Sequence, residues 1–249
     1  MENILFEQNE KIAILTLNRP EKLNSFNTEM AIQLQNYLDK CNTDNNISCV
    51  IIKAAGKAFC AGQDLQEAIG ENAPAIDSIV RNSYNPIIIK ITKMSKPVIA
   101  MVNGVAAGAG ANIAFACDIV IAAQSSSFIQ AFSKIGLVPD SGGTFFLPRM
   151  IGAKALPLML LGDRLSASDA DKMNLIWKCV EDENLEEEVM KVASKLSSHS
   201  ATGLRLTKEL VNKTWSNTLE EQLQIEEKYQ KIAGDSDEYN EAVNAFLNK

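Results

Sequence analysis

The stretch KPVIAMVNGVAAGAGANIAFACDIVIAA, Lys96 to Ala123, decides the fold. It opens with KPVIAMVNG (96–104) and closes into CDIVIAAQ (117–124), two short apolar runs rich in β-branched residues. Runs of that length without polar alternation read as strands buried on both faces. Between them, GVAAGAGANIAFA (104–116) is small and apolar, a turn that runs into a tightly packed helix. Strand, helix and strand in that order predict a mainly parallel sheet with helices laid on it.

The same alternation extends upstream. KIAILTLNR (11–19) has the pattern of a half-buried strand, and SCVIIKAAG (48–56) is a third buried run. Between them NTEMAIQLQNYLDKCN (27–42) carries apolar residues at helical spacing behind an Asn27-Thr28 cap signal. From about residue 142 the character changes. LSASDADKMNLI has a cap-like start, WKCVED is a short strand, and LEEEVMKVASKLSS and LEEQLQIEEKYQKIAG are amphipathic helices. The expected organisation is an α/β core over 1–200 and a helical region over 201–249. That region cannot bury its apolar stripe alone, so it packs on the core or on a neighbouring subunit.

Composition narrows the function. The chain has 249 residues, 46% of them hydrophobic, enough to bury a substantial core. A net charge of −7 argues against nucleic acid as a partner, because phosphate binding needs a basic face. No uninterrupted apolar run approaches the roughly 18–20 residues of a membrane span. The N-terminus opens with an acid rather than a basic signal region, so a cytoplasmic, membrane-free protein is expected. Cys41, Cys49, Cys60, Cys117 and Cys179 are odd in number and lack metal spacing, which reads as reduced thiols. With His199 as the single histidine, histidine-based metal sites and a Ser-His-Asp triad are poor hypotheses.

Three glycine-bearing turns follow strands: GKAFCAGQDL (56–65), NGVAAGAGAN (103–112) and IGLVPDSGGT (135–144). Small residues there let backbone approach a ligand, and a helix start presents unpaired N–H groups. Each turn also has a plain packing explanation. GAGAN lacks the later glycine of a dinucleotide fingerprint. Asp64 stands where the helix dipole favours an acid, and Asp140, before Ser-Gly-Gly, has the residue type of a helix N-cap.

Taken together and in order, these pieces resemble the crotonase (enoyl-CoA hydratase/isomerase) superfamily. The matching stretches are LTLNRPEKLNSF (15–26), KAFCAGQDL (57–65), residues 96–123, FSKIGLVPDSGGTFFLPR (132–149) and LLGDRLSASDA (160–170). The resemblance implies a crotonase (ClpP/crotonase-like) fold of repeated ββα units, assembled as a homotrimer or homohexamer. It implies an acyl group bound as a coenzyme A thioester, with no separate cofactor and no metal. The thioester enolate would be held by two backbone N–H groups, those of Gln63 and Ala109. Lys22, Leu23, Ala61, Asp64 and Leu65 match the region that holds the nucleotide and pantetheine. The segment from Leu65 to Ile91 would be either a lid over the acyl group or an amphipathic surface helix.

Departures from the family pattern indicate the reaction. Hydratases of the superfamily carry two glutamates that handle water, and they fall at Asn112 and Phe132 here. Neither an amide nor a phenyl ring can take a proton from water. An acid appears instead at Asp140, where many hydratases have glycine. One base suffices for an isomerase, which removes the proton alpha to the thioester and returns it elsewhere. An acyl pocket lined by Asn112, Phe132 and Leu137 would raise the pKa of Asp140. The resemblance runs most strongly to the isomerases of aerobic phenylacetate breakdown. That implies isomerisation of a ring epoxide to an oxepin or a 3,4 to 2,3 double-bond shift. Hydration, hydrolysis or lysis through Asp140, and a scaffold without chemistry, are the rival readings.

Overall fold

The computed structural model describes residues 2–70 and 73–247. Its main sheet has six strands in the order β1 (Ile4–Asn9), β2 (Ile12–Leu17), β3 (Cys49–Ala54), β5 (Val98–Val102), β7 (Ile119–Ala123) and β10 (Lys178–Val180). The β1–β2 pair is an antiparallel hairpin, and every later pairing is parallel. A second sheet joins β4 (Ala58–Cys60), β6 (Val105–Ala107), β8 (Ser127–Ile129) and β9 (Arg164–Ser166). Thus β3–β4, β5–β6 and β7–β8 each pass from the main sheet into the second and step one strand across both. These are the expected repeats.

Glycine makes the step between sheets possible. A Cβ on Gly104 would stand 2.2 Å from the Lys57 carbonyl oxygen, so only glycine fits where the β5–β6 corner crosses the β3–β4 corner. Asn103 ties the corners together by donating to the carbonyls of Ala54 at 3.1 Å and Gly56 at 2.8 Å.

The buried apolar runs divide between two faces as their alternation requires. In β3, Val50 and Ile52 enter the main core, where they meet Leu34 and Leu38 of α1 (Thr28–Thr43). Cys49 and Ile51 turn the other way, under Leu185, Val189 and Ala193 of α9 (Leu185–Ser197). The Asn27 side chain caps α1 by accepting from the Met30 N–H at 2.8 Å. The central helix, α5 (Ala109–Ala116), is buried at all eight positions. Its small residues are a packing requirement, since a Cβ on Gly110 would lie 2.6 Å from Cys60.

The sequence reading misses three features. Residues 4–9 form an edge strand that is mostly exposed past its first residue. The run 104–116 begins in the three-residue strand β6 rather than in a plain turn. The segment from Leu65 is not one helix. It breaks into α2 (Leu65–Ala68), α3 (Ile76–Ile79), a π-helical turn (Val80–Tyr84) and α4 (Asn85–Lys93), with part of the expected lid outside the described residues.

The chain continues through α6 (Gly143–Ile151), α7 (Ala155–Leu161) and α8 (Ala167–Lys172). After α9 come α10 (Ala201–Lys213), α11 (Leu219–Gly234) and α12 (Asp237–Leu247). Lys208 docks α10 on the core by donating to Asp118 at 2.7 Å and to the carbonyls of Ile91 at 2.9 Å and Lys96 at 3.2 Å. Tyr229 of α11 donates to Glu209 at 2.8 Å. The Glu238 carboxylate of α12 accepts from Ser200 and from the Thr202 N–H.

Candidate active site

The fold brings all three glycine-bearing turns together. After β4, Gly62 adopts a φ of +96° and packs on the turn before α5. A Cβ there would lie 3.1 Å from the Ala107 carbonyl oxygen and 3.9 Å from the Ala109 nitrogen. Gln63, next in the chain, lies opposite Phe26 in a parallel bridge. Its neighbours make both bridge bonds: the Phe26 N–H donates to Gly62 at 2.7 Å, and the Asp64 N–H donates to Phe26 at 2.8 Å. That pairing turns the Gln63 N–H away from Phe26. Ala109 opens α5, where the first N–H groups have no acceptor inside the helix. Two backbone donors therefore stand on turns in contact with one another, the arrangement an oxyanion site needs.

The third turn supplies the acid. The Asp140 carbonyl accepts from the Asn112 side-chain amide at 2.8 Å and from the Gly143 N–H at 2.9 Å. Its carboxylate accepts from the Ser141 hydroxyl at 2.8 Å. Ser141 and Gly142 both have positive φ, +50° and +75°, which for a serine is an uncommon backbone state. The cap expectation fails here: Gly142 is the N-cap of α6, and no side chain caps that end. The turn satisfies the helix start through backbone, so the Asp140 carboxylate takes no part in capping it. No cation pairs with it among the described residues. Burial pushes its pKa above the ordinary aspartate value, with the Ser141 hydroxyl pulling partly back.

Of the acyl-pocket candidates, Phe132 packs beside the turn before α5. It is buried, and its ring edge would lie 3.7 Å from a Cβ on Gly108. Asn112 is fully buried and both ends of its amide are taken, with Gln130 donating to its oxygen at 2.8 Å. It is a strut beneath the Asp140 turn. Leu137 is 38% exposed in the isolated chain.

The coenzyme A candidates gather beside the Gln63 turn. Leu23, in the left-handed region, accepts from the Ala61 N–H at 3.0 Å, and Lys22 reaches Gln66 at 2.7 Å. Lys22, Leu23, Ala61 and Leu65 form an exposed rim. Asp64 differs. Its carboxylate pairs with Arg19 at 2.9 Å and caps α2 through the Gln66 N–H at 3.1 Å, so it braces the turn.

The residue that sequence reasoning missed is Tyr84. It is buried, and its hydroxyl donates to the Gln63 side-chain oxygen at 2.5 Å. Burial raises its pKa beyond the ordinary phenol range, with Cys60, Asp140 and Glu67 close enough to add to the rise. The sequence signal was a tyrosine before Asn-Pro in an apolar segment, which alone reads as core.

The profile of the enoyl-CoA hydratase/isomerase family matches residues 7–249. The chain belongs to that family. It is an enzyme of the crotonase fold, and solved relatives align over nearly the whole chain. It is 47% identical to the 1,2-epoxyphenylacetyl-CoA isomerase of Escherichia coli K12, covering 100% of this chain and 97% of that protein. It is 34% identical to the trans-2-decenoyl-[acyl-carrier-protein] isomerase of Streptococcus mutans, covering 99% and 95%. The crystal structure of an enoyl-CoA hydratase from Bacillus anthracis superposes with a TM-score of 0.92 at 33% identity, covering 99% and 96%.

Proposed function

We propose that the chain isomerises acyl-CoA thioesters through an enolate, with Asp140 as the single base and acid. The observation that carries this reading is an unpaired, desolvated carboxylate on a turn held by Asn112, beside two backbone turns free to bind an enolate oxygen. Asp140 takes the proton alpha to the thioester, and the N–H groups of Gln63 and Ala109 hold the resulting negative charge. Return of the proton at another carbon shifts the double bond with no water consumed. The same enolate places electron density beside a ring epoxide, which suits isomerisation of ring-1,2-epoxyphenylacetyl-CoA to oxepin-CoA. The Escherichia coli and Streptococcus relatives, both isomerases by name, support the class.

On this reading Lys22, Leu23, Ala61 and Leu65 form the rim where the coenzyme A moiety lies, and Phe132 walls the acyl group. The reading includes a cytoplasmic enzyme assembled as a trimer or as a pair of trimers. Support for assembly comes from the exposed apolar side chains of Val138, Phe145, Leu156, Leu160 and Leu161 on and before α6 and α7, a patch a lone chain would leave in water. The helices from Ala201 onward serve as the second region, covering the core or a neighbouring subunit.

Asp140→Asn tests the chemistry. The variant should fold and bind a 3-enoyl-CoA while losing both conversion to the 2-enoyl product and solvent exchange of the alpha proton. Turnover near that of the wild type would refute the assignment. Release of free coenzyme A thiol by the wild type would instead mark a hydrolase.

A further inference from the structure

Gln63 offers its backbone N–H to the proposed oxyanion, yet its side chain is also anchored, and the anchor lies 21 residues away in sequence. The loop that carries it has an obvious pivot, because Gly62 immediately before it sits at a φ of +96°. Phe26 grips the loop by its backbone on one side. On the other, the Tyr84 hydroxyl donates to Gln63 Oε1 at 2.5 Å, which fixes which end of the amide faces inward. Gln63 Nε2 then points toward the Asp64 carbonyl at 3.3 Å and Glu67 at 3.4 Å. The two grips are themselves in contact, since the rings of Phe26 and Tyr84 meet edge to face with centroids 6.0 Å apart.

Tyr84 is held with unusual care for a residue with a purely apolar task. It ends a π-helical turn, Val80–Tyr84, a local widening that recurs at functional sites. Pro86, two residues on, brings no N–H to the carbonyls one turn back. Gln35 of α1 supplies that donor, giving its side-chain amide to the carbonyls of Asn82 at 2.9 Å and Ser83 at 3.1 Å. The phenol therefore enters the site from a backbone secured by a different helix.

We propose that Tyr84 is a positioning residue of the enolate site, acting through the Gln63 side chain to fix the direction of the Gln63 backbone N–H. The inference rests on the oxyanion role given to Gln63 above. Phenylalanine at 84 keeps the ring and its contact with Phe26 and removes only the donor. Tyr84→Phe should leave KM for a 3-enoyl-CoA near wild type and lower the unfolding midpoint by no more than a few degrees. Its kcat should fall roughly three- to tenfold, the worth of one neutral hydrogen bond. Gln63→Met breaks the same bond from the other end, so the double variant should be no slower than the slower single variant. The probe 4-(dimethylamino)cinnamoyl-CoA reports the site without turnover. Polarisation of its thioester carbonyl should red-shift its absorbance on the wild type, and by less on Tyr84→Phe. An unchanged kcat and full red shift in Tyr84→Phe, or losses that multiply in the double variant, would overturn the role of Tyr84. A wild type that produces no red shift would overturn the oxyanion reading itself, and this inference with it.

Discussion

Alanine at position 143 tests whether the Asp140 turn is built as described. Gly143 is the first residue of α6, and a Cβ there would lie 2.4 Å from Asn112 Nδ2 and 2.9 Å from its Cγ and Oδ1. Ordinary contact begins near 3.4 Å, so the overlap is about 1 Å. The Asn112 amide has no direction of retreat. Gln130 holds its oxygen, Asp140 holds its nitrogen, and α5 is buried throughout. Helix propensity alone would make alanine stabilising by roughly 0.5–1 kcal/mol. The steric term is larger, about 1–3 kcal/mol for an overpacked site, and it wins. Gly143→Ala should thus lower the unfolding midpoint by a few degrees, at about 2–4 °C per kcal/mol for a chain of this size. The functional effect should be greater. Relief of the clash releases the Asp140 carbonyl from Asn112, and a displacement of about 1 Å at a reacting group can cost roughly a hundredfold in rate. Differential scanning fluorimetry and alpha-proton exchange in deuterated water read the two effects separately. A variant as stable as wild type, exchanging at the wild-type rate, would show that Asn112 does not hold the base.

Further outcomes follow from the electrostatics and the brace. Because Asp140 must be ionised to take a proton and burial raises its pKa, the acid limb of kcat/KM should lie above the ordinary aspartate range. A limb at an unshifted carboxylate value would refute that environment. The same raised pKa means that Asp140 favours folding fully below the ordinary aspartate pKa of 3.8 and loses that contribution as pH rises through the folded value. Asp140→Asn should therefore be more resistant to urea than wild type at neutral pH, with the gap closing by about pH 3. Asp64→Ala removes the Arg19 partner and the α2 cap, so it should lower stability by about 1–2 kcal/mol while KM for the CoA ester stays near wild type. A raised KM with unchanged stability would return Asp64 to the coenzyme A site.

What the sequence made legible follows the physics of burial. The strands at 12–17, 49–54, 98–102 and 119–123 are covered on both faces or nearly so, and their apolar runs stand out. The edge strand β1 is polar along its exposed length and leaves no such trace. The three-residue strands of the second sheet are too short for any period to show. In the site, the proposed backbone donors of Gln63 and Ala109 carry no side-chain signature, and only the family resemblance points to them. Asp140 looked like a cap because its local context is that of one. Its turn is held instead by Asn112, 28 residues away, and such a contact leaves no local pattern. Tyr84 escaped for the same reason.

The amide at 112 is a working part of the Asp140 turn. Asn112 Nδ2 donates to the Asp140 carbonyl, while its oxygen accepts from Gln130. An ionised carboxylate in that place could accept from Gln130 but could donate nothing to Asp140. It would also set a second negative charge near the Asp140 turn, disfavouring the ionised base that proton abstraction requires. A water-activating acid at 112 and an ionised, well-held Asp140 are therefore incompatible in this packing. The backbone donors need not change, because their N–H groups are supplied whatever side chain occupies 63 or 109. On the proposed mechanism, positions 112 and 140 are thus coupled: the neutral amide supports the same turn that would present the base.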